Sequence, residues 1–128
     1  NLEAATPELF EKMCAGLDYA MIWRVLGRSV ELFGRNRVFS NVIVGLGETD
    51  EELAACIRKL TALGVIPVLR PLNPVAGCAG MPRPSAERLK EAFRVHEQAL
   101  SEAGLDTRVA QTMCTTCTGC DLVPGRDE

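Results

Sequence analysis

Several features that would assign a function class directly are rare or absent in this sequence. It has one histidine, one tryptophan and one tyrosine, and no apolar run approaches the ~20 residues that span a bilayer. No signal peptide is visible. The formal net charge of -3 does not favour binding to nucleic acid or to an anionic membrane. We therefore expect neither nucleic acid nor a membrane as a partner.

The sequence also lacks an initiator methionine. It begins at Asn1, and residues 1–3 resemble the end of a structural element. With 128 residues, 47% hydrophobic and 24% charged, the composition is that of a globular protein and is sufficient for one domain or part of a larger one. We expect this chain to be a fragment whose N-terminal portion is absent.

Helical and strand patterns alternate along the chain. Four helix starts are indicated by capping residues, which are Thr6, Asp18, Thr49 and Ser85. Three helix ends are indicated by glycines, which are Gly34, Gly64 and Gly104. Short β-branched runs at 38–44 and 65–70 predict two buried strands, and 107–110 predicts a short third one. This order predicts an α/β fold built from βα units around a parallel sheet.

In such sheets, ligands gather where the strands end. Arg70 ends an apolar strand, and its guanidinium suits bidentate binding of a carboxylate. It is therefore a candidate substrate-binding residue, the alternative being a structural role at the rim of the sheet. His96 lies on a helix face, where a half-buried groove histidine is favoured over a metal ligand.

Three cysteines, Cys114, Cys117 and Cys120, are spaced two residues apart near the end of the chain. Such spacing lets thiolates converge on one soft metal centre. The bacterial ferredoxin run begins the same way, but its fourth cysteine position holds Pro124 here. The trio therefore predicts an iron–sulfur cluster with one iron left open, to be filled by Asp121, a loop cysteine such as Cys78, a substrate atom or sulfide.

An unligated cysteine cluster is one other interpretation of the trio, and two more concern bound cysteines. A zinc knuckle is the first, although zinc usually takes four ligands in two separated pairs and this chain has one tight run. Disulfides in a small secreted domain are the second, but the predicted core is large enough to need none. A reducing cytoplasm is the favoured compartment.

The strand-to-helix segment NVIVGLGE, residues 41–48, resembles the G-x-I-x-G-x-x-E pattern of radical S-adenosylmethionine (SAM) barrels and departs from it only at Asn41. The start Asn1-Leu2-Glu3, followed by a helix start containing Pro7, is similar to the biotin synthase and lipoyl synthase branch of that family. The resemblance covers nearly all of residues 1–85. It implies the second half of a partial (β/α) TIM-type barrel over 1–110.

The resemblance also implies SAM contacts. Asn1 and Glu3 match residues that hold the polar groups of SAM, and Ile43 matches a residue that packs on its adenine. Gly45 and Gly47 would let the backbone approach the cofactor, and Glu48 would brace the turn. Two further implied SAM contacts are Arg24 and Leu72. The alternative for Arg24 is a residue on a solvated helix face with no ligand. The alternative for Glu48 is an exposed acidic residue in the first turn of the next helix.

The Cys-x3-Cys-x2-Cys run that holds the SAM-cleaving 4Fe–4S cluster is not in this chain. In this family it belongs to the N-terminal half, so this chain alone is not expected to cleave SAM. The trio in residues 111–128 then looks like an auxiliary 4Fe–4S cluster, as other branches of the family carry. No catalytic residue is assigned.

The function implied by the resemblance is generation of a 5′-deoxyadenosyl radical, hydrogen abstraction from a small-molecule or carrier-bound substrate, and sulfur insertion. Ferredoxin or flavodoxin would supply electrons. One alternative is a radical SAM isomerase, lyase or methylase whose auxiliary cluster anchors substrate or relays electrons. The alternative from another class is a non-catalytic zinc or iron–sulfur module.

Overall fold

The computed structural model describes residues 1–75, 78–109 and 121–125. Helices and strands alternate through these ranges as the sequence patterns predict. The elements in chain order are α1 (Pro7–Met13), α2 (Tyr19–Phe33), β1 (Val38–Val44), α3 (Asp50–Leu63), β2 (Val65–Pro71) and α4 (Ala86–Ala103). Of the helices in this described part, none combines the length and the apolar character needed to cross a membrane.

The helix boundaries follow from local hydrogen bonds, which is why the sequence predicts them. Thr6 and Ser85 each accept a backbone N–H at the start of their helices. Thr49 and Glu52 form the predicted reciprocal capping box of α3. Gly64 and Gly104 end α3 and α4 in the left-handed conformation, which costs glycine little. Each of these capping residues lies within a few residues of the backbone groups to which it is hydrogen-bonded.

The two strands pair in parallel, from Val38 opposite Val65 to Val44 opposite Pro71. Their carboxyl ends therefore lie at the same edge of the sheet. Each outer side of this pair carries one isolated bridge: Glu3 pairs in parallel with Val42, and Leu122 pairs antiparallel with Leu69. The described residues thus form an α/β fold around a small parallel sheet, and no closed barrel is seen within them.

The helices cover one face of the sheet with the main apolar core. Val42 and Leu69 on the strands pack with Leu26 of α2, Ile57 of α3 and Ala99 of α4. Side chains on the other face of β2 form a second cluster with one residue of α4 and one residue of the segment 121–125. Its buried members are Ile66, Val68, Leu100 and Val123. The segment 121–125 is therefore packed against β2 and α4.

Two predictions near the C-terminal part need correction. Residues 107–109 form a turn instead of a short strand, because Asp106 accepts the backbone N–H of Arg108 at 2.9 Å and that of Val109 at 3.2 Å. His96 is wholly buried, not half-buried. It lies close to the backbone of Leu122, so the returning segment closes a groove that the helix alone would leave open.

Candidate functional site

The carboxyl edge of the sheet brings together residues from three separate parts of the chain. The backbone N–H of Leu72, just after β2, donates to the carbonyl of Val44 at 2.9 Å. The N–H of Glu3 donates to Asn41 at 2.9 Å, and the carbonyl of Glu3 accepts from Ile43 at 2.8 Å. The predicted SAM contacts Glu3, Ile43 and Leu72 are therefore neighbours along one sheet edge.

Glu48 holds the turn that follows β1. Its Oε1 accepts the N–H of Gly45 at 2.7 Å, and its Oε2 accepts the N–H of Leu46 at 2.9 Å. The side chain has no exposed surface, and Arg88 Nη2 lies 3.0 Å from Oε1. The carboxylate is thus neutralised and fully bonded inside the protein. The alternative interpretation, an exposed acid at the start of a helix, is wrong for this residue.

Arg88 connects this turn to α4. Its Nη2 also donates to the carbonyl of Glu48 at 2.7 Å, and its Nε donates to Asp50 at 2.7 Å. Burial lowers the pKa of Arg88, but the hydrogen bond to Asp50 and the charges of Glu48 and Asp50 outweigh burial and raise it overall. Arg88 therefore remains charged as the counter-ion of Glu48. Arg88 is not among the predicted site residues, because its partner lies forty residues away in the sequence.

Both turn glycines have backbone angles that other residues rarely adopt, with φ of 108° at Gly45 and 116° at Gly47. A Cβ on Gly45 would lie 3.1 Å from Pro84 Cδ and 3.4 Å from the Cβ of Leu72. The absence of a side chain at Gly45 is thus already required by packing within the chain. Because Glu48 occupies the N–H groups of Gly45 and Leu46, these groups are not available to a ligand.

The first three residues are anchored to β1 by Leu2, which is fully buried and donates its N–H to Ser40 Oγ at 2.8 Å. Asn1 Oδ1 accepts the N–H of Asn41 at a long 3.4 Å. Glu3 has a φ of 63°, unusual for a residue with a side chain. Its carboxylate also contributes, after burial, to raising the pKa of Cys14. The chain start is therefore a specific part of this edge.

Asn41 carries an unsatisfied buried acceptor. The residue is 7% exposed, and its Oδ1 has no hydrogen-bond partner among the described residues. Buried polar atoms are nearly always paired, so this oxygen, in the middle of β1, is open to a donor from outside the described residues. An N–H or O–H group would satisfy it. Its departure from the glycine pattern was the sequence signal, although the sequence analysis did not include Asn41 among the site residues.

The two candidate arginines have quite different surroundings. Arg24 lies on α2 with a side chain 62% exposed, and its described partners Asp18 and Met21 belong to the start of the same helix. Arg70 lies in β2 opposite Ile43, at the carboxyl edge. Its Nε is 2.8 Å from Oδ1 of Asp121. The structure thus joins Arg70, but not Arg24, to the sheet edge by described contacts.

The cysteine trio Cys114, Cys117 and Cys120 lies outside the described residues. The cysteines within them, which are Cys14, Cys56 and Cys78, are free thiols. The described part of the chain contains no group of three or more potential ligands placed to hold a metal ion. Cys14 and Cys78 pack against the same small cluster as Ile43 at the carboxyl edge.

Two curated proteins share clear similarity with part of this chain. The lipoyl synthase of Herminiimonas arsenicoxydans is 40% identical over 62 residues, which cover 48% of this chain and 18% of that protein. The lipoyl synthase of Tolumonas auensis is 37% identical over 65 residues, 51% of this chain and 20% of that protein. The matched part thus spans about a fifth of each relative. No protein-family model and no solved structure matches the chain significantly. These matches support a relationship to lipoyl synthases.

Proposed function

We propose that this chain is part of a radical SAM enzyme of the lipoyl synthase type. The observation that carries the proposal is the similarity of about half the chain to two lipoyl synthases. The geometry of the carboxyl edge supports it, because Glu3, Ile43 and Leu72, three of the residues that resemble SAM contacts, lie together there. In this proposal, residues 1–110 are half of a (β/α) barrel and residues 111–128 carry an auxiliary cluster.

The residues of the edge fit a SAM molecule by their chemistry. SAM offers amine and hydroxyl donors, and Asn41 Oδ1 is a buried acceptor without a donor among the described residues. Ile43 is partly exposed and supplies apolar surface for an adenine ring, whereas Leu72 is 5% exposed and packs in the same cluster. Asn1 and Glu3 supply polar groups at this edge. Glu48 keeps the turn rigid through its two backbone hydrogen bonds. Bound SAM would supply a 5′-deoxyadenosyl radical that abstracts hydrogen from an unactivated carbon.

The cysteine trio fits an iron–sulfur cluster by its donor set, since three closely spaced thiolates are soft ligands. A 4Fe–4S cluster held there would supply sulfur to the substrate. The second 4Fe–4S cluster, which cleaves SAM, would be held by a part of the protein that is not in this chain. We further propose a small-molecule or carrier-bound substrate, reduction by ferredoxin or flavodoxin, and a cytoplasmic location.

The test uses the full-length protein, purified anaerobically and reconstituted with ferrous iron and sulfide. It compares the wild type with a variant in which Cys114, Cys117 and Cys120 are all alanine, and with Cys56→Ala as a matched control. We expect the triple variant to form 5′-deoxyadenosine but no sulfur-containing product. The control should do both, because Cys56 is buried among α3 core residues away from the trio's sequence.

Product mass and metal content decide between this function and its alternatives. A wild-type product that gains no sulfur while 5′-deoxyadenosine forms would point to an isomerase, lyase or methylase. Stoichiometric zinc without sulfide would overturn the cluster assignment. Failure of the wild type to form 5′-deoxyadenosine under reducing conditions would overturn the radical SAM function.

A further inference from the structure

The five residues that follow the cysteine trio return along the outer side of β2. The N–H of Leu122 donates to the carbonyl of Leu69 at 2.8 Å in an antiparallel bridge. Val123 is 3% exposed and packs with Ile66 and Val68. Thr107 Oγ1 donates to the carbonyl of Pro124 at 2.6 Å. Residues 121–125, which we call the return segment, are thus fixed to the domain by three different kinds of contact.

The first residue of this segment, Asp121, makes a charged contact with Arg70. Arg70 Nε and Asp121 Oδ1 are 2.8 Å apart, and their side chains are 34% and 9% exposed. The N–H is not aligned as a hydrogen bond, so the attraction is mainly coulombic. A carboxylate so well buried requires a counter-charge, and Arg70 is the described residue that provides it. The pair lies at the carboxyl edge, one residue after Cys120.

We propose that Arg70 and Asp121 form a clasp that fixes the return segment to the carboxyl end of β2 and keeps Asp121 from serving as the fourth ligand of an iron–sulfur cluster. The part of this proposal that concerns a cluster rests on the function proposed above. Asp121 is then a residue of the clasp, and it is not the fourth ligand.

The charges set the two roles of Asp121 against each other. As a ligand, its carboxylate would share its negative charge with the cluster, and the two-thirds buried side chain of Arg70 would lose part of its counter-charge. As the partner of Arg70, the carboxylate is directed to the end of β2. The same pairing occupies Arg70 Nε, so a substrate carboxylate would have to displace Asp121 to bind there.

Hydrogen exchange of the full-length protein tests the clasp without requiring activity. The variants are Arg70→Gln, Asp121→Asn and their combination, with Arg70→Lys as the conservative change. Exchange of the Leu122 amide should accelerate about tenfold in each of the first two variants, because each removes one charge of a mostly buried pair. The combination should be no faster than the single variants, and Arg70→Lys should be intermediate.

Two references separate loss of the clasp from general unfolding. Arg28→Gln removes an exposed ion pair with Glu31 on α2 and should leave the Leu122 amide unchanged. The Leu72 amide, bonded to Val44 between the strand ends, should keep its wild-type rate in every variant. Unchanged exchange of Leu122 in Arg70→Gln or Asp121→Asn, or additive acceleration in their combination, would overturn the clasp.

The ligand question is answered by electron paramagnetic resonance of the reduced protein after reconstitution with ferrous iron and sulfide. Asp121→Asn should keep the wild-type signal of the auxiliary cluster. A changed signal in Asp121→Asn together with a wild-type signal in Arg70→Gln would make Asp121 a ligand and overturn the proposal. If the wild type binds no cluster at the trio, the proposed function and the ligand part of this proposal fail together, whereas the exchange rates still decide whether the clasp exists.

Discussion

Replacing Glu48 by glutamine tests whether this carboxylate stabilises the strand-end turn. The change preserves shape and one acceptor oxygen but converts the other oxygen to an NH2 group. Glu48 Oε1 and Oε2 each accept one backbone N–H, so the variant leaves either Gly45 or Leu46 with an unpaired donor. It also removes the charge that faces Arg88 at 3.0 Å. The bond to Leu46 is buried, whereas Gly45 and Arg88 are partly exposed, so water compensates for only part of these losses.

The cost can be worked from these contacts. A buried N–H without a partner costs about 1–3 kcal/mol. Removing one member of a buried ion pair costs about 3–5 kcal/mol, but Arg88 is 25% exposed and keeps Asp50 as a partner, so only part of this applies. We expect Glu48→Gln to lower the free energy of unfolding by about 3 kcal/mol.

The assay is urea unfolding of the full-length protein, followed by circular dichroism. Asp50→Asn is the matched control. It removes the negative charge of the other acidic partner of Arg88, and the Asp50 side chain is 68% exposed. An exposed pair contributes little, so this variant should lose less than about 1 kcal/mol. If Glu48→Gln costs no more than Asp50→Asn, the turn does not depend on the carboxylate and our account of Glu48 is refuted.

Three further predictions follow from buried or strained residues. Burial lowers the pKa of His96 to about 3, so stability should fall by up to about 5 kcal/mol as pH drops from 6.5 towards 3, a dependence that His96→Leu should abolish in acid unfolding curves. Burial raises the pKa of the Cys56 thiol to about 12, so iodoacetamide at pH 8 should modify it only in urea, and modification of the native protein would contradict its burial. Gly45→Ala should cost about 2 kcal/mol in urea unfolding, more than Gly16→Ala, where φ is also positive but no atom lies within 4 Å; equal costs would show that Pro84 gives way.

The elements of the fold could be predicted because their signals are local. The Thr49 and Glu52 capping box joins groups three residues apart, and Gly64 ends α3 by its own backbone freedom. The strand Val38–Val44 is recognisable as a short β-branched run between turn residues. Parallel pairing then follows from the alternation of strands and helices, and it places the strand ends at one edge. The shared edge of the two strand ends was therefore predictable from sequence.

The short strand expected at 107–110 shows where local reasoning failed. Val109 has a strand-forming side chain, but Asp106 captures the N–H groups that a strand would offer to a neighbour. The burial of His96 was underestimated for a related reason. A helix pattern shows which residues share a face, but it does not show that a segment twenty-six residues later in sequence, at Leu122, covers that face.

The sequence by itself determined the helices, the strands, their order and the edge at which the strands end, because those properties depend on neighbours a few residues apart. It also carried the resemblance that led to lipoyl synthases, through the segment 41–48 and the start at Asn1. Only the tertiary structure decided which charges meet. Glu48 finds Arg88, and Arg70 finds Asp121, across 40 and 51 residues of chain. Such pairings depend on how the elements pack, and no local pattern records that packing.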